Sequence, residues 1–316
     1  MTILVTGAAG FLGRELVAQL QAAGEEIHGV DVKADTSVLS QLDVSSAGFT
    51  SLVETIKPRA IVHVAGVQYL HPVPRFSRKK FFQANVDMAK NLAKSMREQQ
   101  GIEQVVFVSS DMVYGKAGSS PISSQTLPAP IGPYGESKLL AEKVLTQAAT
   151  ECEVQLAILR PRLIAGAGRL GTLETLHKLM VRNLPVPIIG KGLNRYQFVS
   201  KTDVADAIVR SLKKKSSGIY NLGSEQPPLV KELLSSAMRS MGSRSKLLYL
   251  NQGVTVLTLR MLDVLGISPL SPEQFEIASL DRLLDTSATI RELGWRASKT
   301  DLEMLLESFD YLSERL

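Results

Sequence analysis

Short apolar runs rich in Val and Ile alternate along the first half of the chain with longer stretches whose apolar positions recur at helical spacing. The runs at 3–6, 27–31, 60–64, 105–109 and 154–160 predict strands, and their composition is that of parallel strands covered on both faces. Residues 12–23, 49–56, 79–99 and 134–149 predict helices between them. This alternation defines an α/β class, a Rossmann-like doubly wound parallel sheet. After Pro161 the pattern loosens. Helices are expected over 172–181, 204–212 and 229–241, strands near 197–199 and 219–222, and a last helix over 301–312 with Leu302, Leu305, Leu306 and Phe309 on one side. Two domains follow from this reading: a cofactor-binding domain over 1–165, to which 194–222 returns, and a smaller C-terminal substrate-binding cap mainly over 166–316. A Pro-, Gly- and Ser-rich loop fills 115–133, and loops that long inside a compact domain are often functional.

Composition excludes several classes. With 316 residues, 44% hydrophobic and 21% charged, the chain is neither disordered, collagenous nor a coiled coil. The excess of 36 basic over 31 acidic residues is spread along the chain. Its only dense runs are Arg78, Lys79 and Lys80, and Lys213, Lys214 and Lys215, the second of which reads as a solvated face; without a clustered basic stripe no nucleic-acid partner is expected. The single cysteine, Cys152, rules out an intramolecular disulfide framework and a cysteine-rich zinc site; no metal is expected, and the thiol reads as buried and inert. No basic segment precedes an apolar run at the start, so no secretory signal is read. The most hydrophobic later stretch, 253–270, is interrupted by Arg260, Asp263 and Pro269 and falls short of the ~20 apolar residues a membrane span needs. Val256, Leu257, Met261, Val264 and Leu265 predict an amphipathic helix packed on a core, with a membrane-surface or substrate-entry role as the sharper alternative. A cytoplasmic protein without a membrane partner is the expectation.

Chemistry enters at residues 6–13, TGAAGFLG, which follow a strand and open a helix. Gly7, Gly10 and Gly13 allow a tight turn, close approach of backbone to a pyrophosphate, and packing of helix on strand; with Phe11 and Leu12 they offer helix N-terminal N–H groups to the anion. Asp31 ends the second strand, where a carboxylate accepts hydrogen bonds from both ribose hydroxyls and repels a 2′-phosphate, selecting NAD over NADP; Lys33 softens that choice. Asp43, beside Val44, is either an adenine contact or a turn aspartate. Tyr134 and Lys138 form Y-x-x-x-K on one helical face. A nearby ammonium lowers the pKa of a phenol, and the phenolate can then remove the proton of a secondary alcohol while hydride leaves to the cofactor. Ser110, after Ser109 at the end of the fourth strand, is the hydroxyl expected beside the substrate oxygen, with Asp111 next to it.

Taken together, TGAAGFLG, Asp31, VHVAG at 62–66, SSDMVYG, YGESK, LRPRLIAGAG at 159–168, NRYQFVSKTDVADAI at 194–208, YNLG at 220–223 and RELGW at 291–295 resemble, over nearly the whole length, an extended short-chain dehydrogenase/reductase of the NAD-dependent epimerase/dehydratase family. The resemblance implies Ser110, Tyr134 and Lys138 as catalytic triad, Ala65 and Gly66 lining the cofactor, Asn85 supporting the active-site helix, and a structural His63. It also implies a homodimer in which helices 79–99 and 134–149 form a four-helix bundle. Departures narrow the activity. Met112 stands where dehydratases and decarboxylases carry a glutamate, Leu163 stands at the asparagine of R-P-F-N, and residues 200–203 replace His-Val-Asp-Asp. Arg162, Arg169 and Arg195 are either anion-pairing residues, with Arg162 and Arg195 assigned to substrate, or surface salt-bridge partners. The expected function is an NAD-dependent oxidoreductase or epimerase acting at a secondary alcohol of a sugar or nucleotide sugar. The alternatives are a net dehydrogenase of a less polar hydroxy compound, similar to 3-beta-hydroxysteroid dehydrogenase relatives, and a non-catalytic NAD-binding protein.

Overall fold

A computed structural model describes residues 2–67, 75–117, 121–169 and 171–315, with the side chains of 75–78, 80 and 81 left aside. The strands are β1 (Ile3–Thr6), β2 (Ile27–Asp31), β3 (Ser40–Gln41), β4 (Ala60–His63), β5 (Gln104–Val108), β6 (Gln155–Pro161), β7 (Leu163–Ala165), β8 (Val186–Ile189), β9 (Phe198–Ser200), β10 (Gly218–Leu222) and β11 (Leu247–Leu250). The helices are α1 (Phe11–Ala22), α2 (Gly48–Ile56), α3 (Arg75–Glu98), α4 (Pro133–Cys152), α5 (Thr172–Val181), α6 (Lys201–Lys213), α7 (Val230–Ser240), α8 (Gln252–Val264), α9 (Pro272–Phe275), α10 (Ser287–Leu293) and α11 (Asp301–Ser313).

Seven strands make one parallel sheet in the order β10-β6-β5-β4-β1-β2-β3. Ile3 pairs with Ile27 on one side and with Ala60 on the other. The chain steps outward from β1 through β2 to β3, then returns for β4 on the opposite side of β1. That reversal opens a crevice beyond the carboxyl ends of β1 and β4, the place where doubly wound sheets bind ligands. The central strands are apolar without alternation because both faces are covered. Leu12, Leu16 and Leu20 of α1 pack with Val204, Ile208 and Leu212 of α6 over one face. Phe49 of α2, Leu92 and Met96 of α3, and Leu145 and Ala149 of α4 cover the other. A further core joins α5, α7 and α11 through Leu173, Met180, Leu234, Met238, Met304 and Phe309. The Trp295 indole of RELGW is buried and donates to the Asp203 carbonyl at 2.8 Å, locking the C-terminal segment onto α6.

The Rossmann-like sheet expected from the sequence is present. A strand near 197–199 was expected and is β9; its pairing with β7 and the β8-β11 pair were not foreseen, since pairing of such short strands is set by the fold rather than by local sequence. The 253–270 stretch differs from its expectation: α8 buries only Leu259 and Asp263, while Leu257, Met261, Val264 and Leu265 face solvent and Val256 is half-buried. Cys152 is half-buried rather than buried. Lys215 pairs with Glu103 at 2.6 Å and Lys214 donates to the Glu292 carbonyl, a solvated face as expected. Lys79 is exposed, the side chains of Arg78 and Lys80 lie outside the described residues, and so do residues 118–120 of the long loop. Among the described residues no helix is long and apolar enough to cross a membrane.

Candidate active site

The glycine loop is dictated by space. Gly7 sits at φ +76°, and a Cβ there would fall 2.6 Å from the Ala65 nitrogen; one on Gly13 would fall 1.9 Å from the Gly7 carbonyl oxygen. The loop is held by Gly7 and Ala8 N–H groups donating to the Val30 carbonyl at 2.8 and 3.2 Å. Gly10 begins α1 with no side chain to satisfy its first N–H groups, leaving the positive helix end open. Across the loop, Asp31 accepts from Ala9 N–H through Oδ2 and from Lys33 N–H through Oδ1, each at 3.0 Å, which aims its carboxylate along the crevice rim. A glycine cradle, an open helix N-terminus and a placed carboxylate are what a dinucleotide requires. The residues present therefore fit NAD.

One cavity of about 490 Å³ is lined by Gly7, Gly10, Phe11, Leu12, Gly13, Asp31, Asp43, Val44, Ala65 and Gly66, and also by Ser110, Asp111, Tyr134, Lys138 and Arg162. Leu42, Met112, Leu163 and Arg169 complete the parts that bear on the chemistry. Arg195 is not among the lining residues; it is exposed, with its guanidinium 3.7 Å from Asp281. Asp43 turns toward its own loop, accepting from Ser45 N–H and hydroxyl at 2.8 and 2.7 Å.

The two serines after β5 diverge. Ser109 donates to Glu142 Oε1 at 2.5 Å, whereas Ser110, in extended backbone, starts a single 3₁₀ turn (Asp111–Tyr114), accepts from Met112 N–H at 3.2 Å and lines the cavity together with Tyr134. Pro133 opens α4, and the Tyr134 and Gly135 N–H groups donate to Glu273 Oε1 of α9 at 2.8 and 3.0 Å. Burial pushes the Tyr134 phenol up to about 12, opposed by the Arg169 guanidinium and the nearby Ser110 hydroxyl and aided by the Glu273 and Asp111 charges. Arg169 is a cation near the phenol that the Y-x-x-x-K spacing does not point to, and it lines the same cavity as Lys138. Lys138 donates to the Val108 carbonyl at 3.0 Å and lies 5.0 Å over the Phe107 ring; burial lowers it to about 8 against the raising effect of Glu142. Asn85 bridges the Val67 backbone and the Ser137 hydroxyl, tying α3 to the first turn of α4.

Asp111 is clamped between Arg162 at 2.8 Å and Arg282 at 3.3 Å, all three buried, and Arg162 stacks on Tyr196 at 4.5 Å. Arg162 and Asp111 so form a paired cavity wall. Arg282, Glu273 and Glu142 carried no signal in the sequence, because each meets its partner only through the fold.

His63 ends β4 with Nδ1 2.6 Å from the Thr6 hydroxyl and its ring stacked on Phe107. Burial, then the Lys138 charge, lower its pKa to about 3. Between pH 6.5 and 3 the unfolded chain binds a proton that the folded chain refuses. The stability this neutral ring contributes is complete above 6.5 and lost on acidification toward 3. From pH 7 to 4.5 the His63→Asn variant is expected to lose about 2–3 kcal/mol less unfolding free energy than the wild type in urea titrations. Equal losses would remove His63 as the acid-sensitive group.

A parallel sheet with a glycine-rich first turn, and a serine, tyrosine and lysine gathered in the crevice beyond it, define a nucleotide-linked Rossmann-like oxidoreductase. The chain belongs to the NAD dependent epimerase/dehydratase family, whose profile matches residues 3–223. NAD is the cofactor of that family. The chain is 27% identical over 342 residues to the UDP-glucose 4-epimerase of Lacticaseibacillus casei, covering 98% of this chain and 95% of that one. It is 29% identical over 316 residues to the uncharacterized protein y4nG of Sinorhizobium fredii (strain NBRC 101917 / NGR234), covering 98% and 78%. In fold it is similar to the UDP-glucuronic acid 4-epimerase of Bacillus cereus, solved with UDP-glucuronic acid and NAD, with TM-score 0.81 at 19% identity over the full length of both.

Proposed function

We propose that this chain is an NAD-dependent epimerase of a UDP-sugar, acting by hydride transfer at a secondary alcohol of the sugar. The observation that carries the reading is the gathering of Ser110, Tyr134 and Lys138 into the cavity that the glycine cradle and Asp31 also line. UDP-sugar 4-epimerases among the relatives supply the substrate class.

Gly7, Gly10 and Gly13 with the α1 N-terminus would hold the pyrophosphate of NAD, Asp31 would hold the adenosine ribose, and Lys138 would hold the nicotinamide ribose. When bound, NAD supplies the acceptor and later the donor of hydride at the reacting carbon. Ser110 hydrogen-bonds the substrate oxygen, and Tyr134 takes the hydroxyl proton and returns it once the keto sugar has turned. At neutral pH the Tyr134 phenol starts protonated, since burial holds it near 12. Deprotonation therefore needs cations: Arg169 lies close enough to act, and the Lys138 ammonium belongs to the same cavity. Met112 lines the cavity where dehydratases place a carboxylate, so no group is present there to remove a carbon-bound proton. This favours epimerisation over water elimination.

We assign the cofactor-binding domain to 1–165, with 194–222 returning to it, and the substrate-binding cap mainly to 166–316. A homodimer through α3 and α4 is supported by their side-by-side packing and by exposed Leu140 on α4. We place the protein in the cytoplasm.

Chromatography of UDP-glucose and UDP-glucuronic acid after incubation with enzyme tests the activity; an unchanged pool of every UDP-sugar offered would refute it. Asp31→Ala is expected to weaken NAD binding about ten- to hundredfold, the worth of a charge-assisted hydrogen bond, and to relax discrimination against NADP. A wild type that already prefers NADP in calorimetry would overturn the Asp31 assignment.

A further inference from the structure

The face that α8 turns to solvent is apolar. Taking 100° per residue, Val254, Leu257, Met261, Val264 and Leu265 fall within an arc of about 100°, and all five are exposed. The helix's buried residues, Leu259 and Asp263, lie on the opposite side. Tyr249 on β11 just before the helix and Ile267 just after it are exposed as well. Monomeric domains rarely present a contiguous apolar patch of this kind without a partner for it.

The charge around the stripe identifies the partner. Residues 239–270 contain Arg239, Arg244, Lys246, Arg260 and a single acid, Asp263; Arg260 is paired with Glu276, so Arg239, Arg244 and Lys246 carry the segment's positive excess. The four bases are exposed and the acid is 6% exposed. A two-fold contact between copies of this face would set one basic rim against another, which like charges oppose. A bilayer containing anionic lipid offers hydrocarbon to the stripe and negative charge to the rim. The helix is also mechanically linked to the catalytic turn. Arg260 donates to Glu276 Oε1 at 2.5 Å, and Lys116, just past the Ser110–Tyr114 segment, donates to Glu276 Oε2 at 2.7 Å. Glu276 closes α9, the helix whose Glu273 holds the N-terminus of α4.

We propose that α8 is an interfacial docking helix that seats this protein on an anionic bilayer surface, one short helix away from the Tyr134 turn. The proposal stands independently of which alcohol the enzyme oxidises.

The test uses the full chain and sucrose-loaded vesicles, one set of equimolar phosphatidylcholine and phosphatidylglycerol, the other of phosphatidylcholine alone. The wild type is expected to pellet with the anionic vesicles at about tenfold or higher affinity than with the neutral ones. Leu257→Glu, Met261→Glu and Leu265→Glu combined should abolish pelleting. Arg244→Gln with Lys246→Gln should weaken it about thirtyfold, at about fivefold for each charge removed. Both variants should keep the wild-type melting temperature and its NAD-induced increase. If the triple variant fails to fold, the charge pair, which leaves the stripe intact, decides the matter. Wild type left in the supernatant with both vesicle types would overturn the proposal. So would a triple variant that dissociates an oligomer in sedimentation velocity without any vesicle binding in the wild type, since the face would then belong to a protein interface.

Discussion

Tyr134→Phe is expected to leave a folded protein that binds NAD and loses at least about a thousandfold in kcat, within the range that general acid–base groups contribute. The substitution deletes one oxygen. Tyr134 lines the cavity beside Ser110, and among the described lining residues it is the only phenol. Its ring stays, and with it the packing at the start of α4. Glu273 still accepts from the backbone N–H groups of residues 134 and 135, because that cap does not use the side chain. Stability should therefore change by no more than the ~1 kcal/mol of one hydrogen bond. The NAD dissociation constant should stay within about threefold. Epimerisation followed by chromatography, together with calorimetry for NAD, measures both halves. Residual kcat within tenfold of wild type would take the acid–base role away from Tyr134.

What the sequence could disclose about this site follows from how each part is encoded. The glycine loop, Asp31 and the Y-x-x-x-K pair are local: each is set by neighbours within a few residues, so each could be read directly. The central strands were legible because burial on both faces leaves nearly unbroken apolar runs. Glu273 and Tyr134 are 139 residues apart, and Arg282 and Asp111 are 171 apart; no period or spacing announces such partners. The wall of the cleft was legible only in part for that reason. Arg162 and Arg195 looked alike in sequence, yet one is buried against Asp111 and the other is exposed beside Asp281. The α8 stripe shows the other limit. Its period marked a helix correctly, but the same period describes a stripe facing a core or a stripe facing out. Only the position of Leu259 and Asp263 in the folded chain separates the two.

Glu142→Ala should cause the largest loss of stability among these substitutions, about 3–5 kcal/mol. Glu142 lies one turn beyond Lys138, so its carboxylate points into the same buried layer. There it accepts from Ser109 at 2.5 Å, from Arg160 Nε at 2.9 Å and from Arg160 Nη2 at 2.5 Å. Arg160 in turn lies 4.8 Å from the Tyr114 ring, and the Tyr114 hydroxyl donates to Asn221 at 2.7 Å, which links α4 to β6 and β10. Without the carboxylate, a buried guanidinium that already has Nη1 unbonded among the described residues is left without its counter-charge. Thermal denaturation should show a drop of roughly 5–10 °C for a loss of that size. Glu142 also raises the pKa of Lys138 against the burial that lowers it to about 8. Its removal must push Lys138 further down, so the ammonium is lost at lower pH and the alkaline limb of the kcat profile moves toward neutrality. The double variant Glu142→Leu, Arg160→Met separates the two roles. Replacing both ions by apolar side chains is expected to recover most of the melting temperature. It restores no negative charge beside Lys138, so the shifted pH limb should persist. A limb that returns to its wild-type position along with the melting temperature would show that Glu142 acts only through packing, and that Lys138 does not depend on its charge.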